Sequence, residues 1–274
     1  MKIRILTAVF LIALTLLALF LFPFYLFLIL IDITLLLGFM ELKKIMGKTG
    51  LPCFSLSLVF LLFLPWVWNY TPDMITPILI AALLLHLGWA LISPLRDFKF
   101  CLPATAGSFF SLIYLGIPFS ILSTYQVNSP QSIGHPNRIW ELMLVFVALW
   151  LSDSAAYFTG SAIGRHKIIP RISPNKSLEG FIAGIVFPAA GAVVYGKFLL
   201  PEYPAWFLLL TGLVLGTSGI MGDLFESALK RGSGIKDSSN LFPGHGGILD
   251  RTDSLLAGVP AFYLLKLIWE NFQG

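Results

Sequence analysis

Apolar stretches of about 20 residues recur along the whole of this chain, and no polar segment between them is long enough to fold separately. A helix needs about 20 apolar residues to cross the hydrocarbon of a bilayer. Runs of that kind lie near residues 5–22, 24–41, 52–68, 74–94, 101–123, 138–160, 179–199, 204–228 and 252–270. The expected fold is therefore all-α, a polytopic integral membrane protein with about nine transmembrane helices. Only 12% of the residues are charged, against about 25% in a soluble domain. A soluble multidomain reading of the 274 residues is excluded on that ground.

The first two helices are short and meet at Phe22-Pro23, as a tight hairpin would. Met1-Lys2-Ile3-Arg4 before an apolar run has the look of a signal peptide. The run continues too long, and no Ala-x-Ala-like site precedes Pro23, so a retained first helix is expected. Cys53 and Cys101 stand far apart in apolar contexts and read as small packing residues rather than a disulfide or zinc pair. His86, among leucines in mid-helix, reads as a hydrogen-bonded packing histidine. His135, in a polar loop near 124–137, reads as a solvated loop residue.

Basic residues set the orientation. In a nine-helix chain, Lys2, Arg4, Lys43, Lys44, Lys48, Arg96, Lys99, Arg165, Lys167, Arg171, Lys176, Lys230, Arg231, Lys236 and Arg251 share one side. Those are fifteen of the 18 Lys and Arg. Arg138, Lys197 and Lys266 remain for the other. The N-terminus and the longest basic loops are expected in the cytoplasm, with the C-terminal tail outside.

Charge in or beside a bilayer is expensive and marks function. Asp223, Glu226 and Lys230 fall at i, i+3 and i+7, on one helix face. A Glu226–Lys230 pair alone would merely solubilise a helix end, but it leaves Asp223, deeper in the apolar run, unexplained. Pro243-Gly244-His245-Gly246-Gly247 is a glycine turn whose amides can approach an anion. Asp250, Arg251 and Asp253 follow, at the start of the last helix. Acidic residues suit a helix N-terminus in any case, which accounts for Asp253 without a functional role. Asp250 together with Asp223 would make a two-carboxylate magnesium site, completed by substrate phosphates. Upstream, Asp153 sits inside an apolar helix, ahead of the loop Ser173-Pro174-Asn175-Lys176-Ser177-Leu178-Glu179-Gly180. The basic residues of this loop could be only topology signals and headgroup contacts, and Lys176 could pair locally with Glu179. Asp32 is solitary and its role is open.

Ser227-Ala228-Leu229-Lys230-Arg231, Lys236-Asp237 and Pro243 through Asp253 together resemble the full signature of the phosphatidate cytidylyltransferase (CDP-diacylglycerol synthase) family, with no departure inside it. The run from Asp153 through Gly180 is also similar to that family. The resemblance is specific over roughly residues 150–258. It implies a magnesium-dependent nucleotidyltransferase of phospholipid biosynthesis, joining CTP and phosphatidic acid into CDP-diacylglycerol and pyrophosphate. Residues 1–137 would then be N-terminal transmembrane helices. Residues 138–274 would be the catalytic transmembrane region with two cytoplasmic polar loops, in a bacterial inner membrane.

On this reading Lys230, Arg231, Lys236, Asp237, His245 and Asp250 are the expected catalytic groups. Asp153, Lys176, Ser227, Gly246, Gly247 and Arg251 would bind substrate, and Asp223 and Asp250 would hold the metal. The lipid phosphate is already an anionic nucleophile, so positioning and charge neutralisation are what the reaction needs. No nucleic-acid partner is expected, and a homodimer is compatible with the sequence. Two competitors remain. One is a related CTP-dependent enzyme acting on a polyprenol or ether lipid. The other is an ion-coupled transporter using Asp32, Asp153 and Asp223, which inverted repeats would favour; the sequence contains none.

Overall fold

The computed structural model describes residues 2–46, 54–92, 101–242 and 246–273. Among these, helix is the only extended regular element, beside two isolated β-bridges. The helices are α1 (Lys2–Phe20), α2 (Phe24–Met46), α3 (Phe54–Tyr70), α4 (Ile75–Ile92), α5 (Cys101–Ser111), α6 (Ile117–Ser123), α7 (Arg138–Ile163), α8 (Leu178–Leu199), α9 (Ala205–Gly232) and α10 (Leu249–Gln273). Among the described residues, seven segments are long and apolar enough to cross a membrane. They are Phe24–Met46, Pro72–Ile92, Thr105–Ser123, Arg138–Ile163, Leu178–Leu199, Ala205–Gly232 and Leu249–Phe272. Val9–Phe20 and Leu56–Tyr70 are shorter apolar helices. The protein is an integral membrane protein of helical class.

Helix ends differ from the hydropathy boundaries for a simple reason. Hydropathy measures immersion, whereas a helix continues as long as its backbone bonds do. Thus α2 runs on past Glu41 through Lys43 and Lys44, and α9 past Ser227 to Gly232. The run 101–123 is not one regular helix. A π-turn at Leu112–Gly116 joins α5 to α6, just ahead of Pro118, which has no N–H to give the preceding turn.

The chain forms two compact units. One comprises Met1–His135 with Ser233–Arg251, the other Pro136–Gly232 with Thr252–Gly274. In the first, α2, α3, α5 and α6 pack on one another, and α4 lies on α3 and α5. Leu28, Leu35, Phe39 and Leu42 of α2, with Leu61 and Leu64 of α3, are fully buried. The loop after α6 is tied to the α1–α2 turn, where the Gln126 side chain donates to the Phe22 carbonyl at 2.9 Å. His86 is a packing residue, hydrogen-bonded to Ser57 at 2.8 Å and to the Ala82 carbonyl. His135 is exposed. Cys53 and the side chain of Cys101 lie outside what is described.

In the second unit α8 packs against both α7 and α9. Close approach is made by small residues, as in membrane helix pairs generally. A methyl group at Gly212 of α9 would collide with the backbone of Pro188 and Ala189 in α8. At one end of this unit Tyr203, Phe207 and Trp269 stack against one another, with ring centroids 5.2 Å and 4.6 Å apart along the chain of contacts.

Candidate active site

The α7–α8 connection is a folded loop rather than a slack one. The Leu178 amide donates to the His166 carbonyl at 2.8 Å, and Lys167 and Ser177 form a β-bridge. Glu179 meets the His166 ring at 2.7 Å, and the Ser177 hydroxyl caps α8 by accepting from the Gly180 amide. A Ser at this position satisfies one of the amides that a helix start leaves open. Lys176, one residue before the cap, is thereby aimed at α9. Its Nζ lies 2.6 Å from Asp223 Oδ2. Local pairing of Lys176 with Glu179, the bland alternative, is not what occurs.

Asp223 Oδ1 accepts from Ser227, one turn on, at 3.3 Å. Glu226 is fully buried and pairs with Lys230 at 3.2 Å. Asp253 of α10 keeps some accessible surface but is packed round by protein, with the charges of Asp223, Glu226 and Asp153 acting on it. The backbones make this possible. At Gly222 a Cβ would collide with the Asp253 carbonyl oxygen, so only glycine lets α9 and α10 touch there and bring Asp223 beside Asp253. The second unit thus gathers Asp153, Asp223, Glu226 and Asp253, with Lys176 and Lys230 as counter-charges. Arg231 donates to the Ile172 carbonyl at 3.4 Å and is otherwise exposed.

Asp250 and the rest of the signature belong to the first unit. Asp250 Oδ2 accepts from the Ser238 amide (2.9 Å), the Ser238 hydroxyl (2.6 Å) and the Gly247 amide (2.8 Å). Gly246 has φ +76°, the left-handed region that favours glycine. Lys236, Asp237 and Arg251 are exposed. Pro243, Gly244 and His245 lie outside the described residues. The amides of the glycine turn were expected to meet a phosphate. The Gly247 amide instead donates to Asp250, and those of Ile248 and Leu249 donate to Glu41.

Two residues escaped the sequence reading. Asp253 passed as an ordinary acidic residue at a helix start. A signal existed, since Asp250 and Asp253 repeat the i, i+3 spacing of Asp223 and Glu226. Glu41 drew no reading from the sequence, and nothing local marks it.

The model of the cytidylyltransferase family matches residues 2–269. The chain belongs to that family. As a cytidylyltransferase it is a nucleotidyltransferase, and an acid cluster beside paired lysines suits phosphate chemistry. Its relatives include the phosphatidate cytidylyltransferase of Staphylococcus saprophyticus, 33% identical over 278 residues that cover 97% of this chain and 99% of that one. Another, from Staphylococcus aureus, is 36% identical over 193 residues, covering 69% and 68%. The phosphatidate cytidylyltransferase of Bacillus subtilis is 47% identical over 123 residues, 45% of this cytidylyltransferase and 46% of its relative.

A magnesium ion fits the donor set of the second unit. All its acidic donors are hard oxygens, which magnesium favours, and that ion is commonly held by one or two carboxylates plus phosphate oxygens. Among the described residues no group of three or more His, Cys, Asp or Glu side chains is disposed to enclose an ion by itself. A site that substrate phosphates complete does not require one.

Proposed function

We propose that this cytidylyltransferase transfers the cytidylyl group of CTP to phosphatidic acid, releasing pyrophosphate and leaving CDP-diacylglycerol in the bilayer. The names of its relatives supply the substrates. The observation that carries the reading is the Lys176–Asp223 contact inside the acid cluster of α7, α9 and α10. It joins a cation that can turn to phosphate with carboxylates suited to a metal. A lipid phosphate oxygen forms a bond to the CTP α-phosphorus as the bond from that phosphorus to the β-phosphate oxygen breaks. Asp223 and Asp253 would hold magnesium, in place of the Asp223–Asp250 pair that the sequence suggested, because Asp250 belongs to the other unit and its Oδ2 already accepts three hydrogen bonds there; the ion would supply charge neutralisation to the phosphates. Lys176, whose Nζ lies 2.6 Å from Asp223 Oδ2, would neutralise a phosphate oxygen beside the metal-holding carboxylate. Lys230 and Arg231 are further cations of the same unit, available to triphosphate and lipid headgroup. No strong base is needed, because the phosphate monoester is ionised at neutral pH.

Purified enzyme is expected to release pyrophosphate from CTP and magnesium only when phosphatidic acid is present. Equal release with a polyprenyl phosphate, or none with phosphatidic acid, would replace this reading. Lys176→Ala is expected to lower kcat/KM by about tenfold or more, with little change in thermal stability, since a partly exposed ion pair contributes little to folding. Normal kinetics with lost stability would make Lys176 structural.

The same reading puts the site on the cytoplasmic face of a bacterial inner membrane, supported by the distribution of basic residues. In a cysteine-free background, single cysteines at Lys2 and Gly274 are expected to label from opposite sides. Labelling from one side means an even number of crossings.

A further inference from the structure

Glu41 lies on α2, far along the chain from the signature, and is 6% exposed. Its carboxylate is fully engaged. Oε1 accepts from the Ser239 hydroxyl at 2.6 Å and the Ile248 amide at 3.0 Å. Oε2 accepts from the Ser238 hydroxyl and the Leu249 amide, each at 2.9 Å. All these groups belong to the first unit.

The pattern has two consequences. First, Glu41 accepts from the Ile248 and Leu249 amides, which the acidic residues of α10 itself, engaged with Gly247 and Ser254, leave open. The opening amides of a helix have no partner within it, and a carboxylate there is favoured by the helix dipole as well. Second, Ser238 touches two carboxylates. Its hydroxyl reaches both Glu41 Oε2 and Asp250 Oδ2, and it has one proton to give, so it can serve only one at a time. The glycines wrap this knot. A Cβ on Gly247 would collide with Glu41 Oε1, and one on Gly246 with Asp250 Oδ2. Gly246 and Gly247 therefore follow the surface of two protein carboxylates, and their path depends on both being there.

We infer that Glu41 is a positioning residue for cytidylyl transfer. By accepting from Ser238, Ser239 and the amides of Ile248 and Leu249, it fixes the path of Gly246–Leu249 and the orientation of Asp250. The inference rests on the function proposed above, and Glu41 itself touches no substrate or metal in it. Glutamine in its place keeps the volume but turns an NH₂ group toward donors. One oxygen of the pair is then missing, an N–H or O–H has nothing to accept it, and the turn loses its fixed path.

The test uses the full-length enzyme in lipid nanodiscs. Glu41→Gln is expected to lower kcat by about ten- to a hundredfold, the scale of a small misplacement caused by a change away from the chemistry. The KM for CTP stays within about twofold, as expected for a defect in alignment rather than in binding. Amide hydrogen exchange is expected to accelerate over residues 247–250 while the α2 and α3 amides keep their protection. Ser239→Ala is expected to cost activity in the wild-type background and nothing further in Glu41→Gln, since both act through one carboxylate. If Glu41→Gln does not fold, the same measurements fall to Glu41→Asp, which keeps the charge but is too short to reach all four donors.

Wild-type kcat in the variant, unchanged exchange at 247–250, or loss of protection throughout the first unit each overturns the inference. The last outcome would make Glu41 a general stabiliser of the fold. The exchange arm needs no substrate. A wild-type enzyme inactive on CTP and phosphatidic acid would thus defeat the proposed function while exchange still decides whether Glu41 holds the turn.

Discussion

Asp223→Asn is expected to lower turnover by on the order of 10²-fold or more while leaving the protein as stable as before, or slightly more so. Asparagine keeps the shape of the side chain and an oxygen for Ser227. It removes the charge that faces Lys176 and that a divalent cation would need. Asp223 also acts electrostatically on Asp253, together with Glu226 and Asp153. These carboxylates repel one another, and Lys176 and Lys230 offset only part of that repulsion. Neutralising one relieves that repulsion, and the ion pair with Lys176 that the substitution breaks is partly exposed and weak. Asp253→Asn is expected to behave the same way. The measurement is pyrophosphate release across a magnesium titration, with a thermal melt on each variant. Activity near wild type at saturating magnesium would remove Asp223 from the metal. Asp250→Asn should also lose turnover, through the turn that its Oδ2 organises.

These residues differ in how far the sequence exposes them. The spans were legible because twenty consecutive apolar residues have few alternatives to a membrane helix. Lys176 was legible because an intramembrane acid such as Asp153 or Asp223 demands a cation, and this loop offered one at the expected depth. Asp253 was hidden by ambiguity, since an acid at a helix start already has a dipole reason to be there. Glu41 was hidden by distance. It lies 207 residues from Ile248, and a contact of that separation leaves no periodicity or spacing to read. The π-turn before Pro118 was hidden for a third reason. Hydropathy averages over a window, and one bulged turn does not change the average.

The largest expected loss of stability lies in the second unit, away from the acid cluster. Lys266 of α10 pairs with Glu141 of α7, and both are almost completely buried, 7% and 4% exposed. The Tyr203 hydroxyl donates to the other Glu141 oxygen at 2.7 Å, and Glu270 lies 3.8 Å from Lys266. Removing one member of a buried pair leaves the other charged group without its partner and commonly costs about 3–5 kcal/mol. Glu141→Ala is therefore expected to destabilise the protein by about that much, with Tyr203 losing its acceptor as well. Replacing both members, Glu141→Met with Lys266→Met, is expected to restore most of the loss, because neither charge then needs solvation. Glu270, 3.8 Å from Lys266 but largely exposed, offsets only a small part of that loss. Unfolding of the three variants in mixed micelles decides the matter. A double variant as unstable as Glu141→Ala would mean that the pair contributes through its shape and its Tyr203 hydrogen bond, and not through the balance of two buried charges.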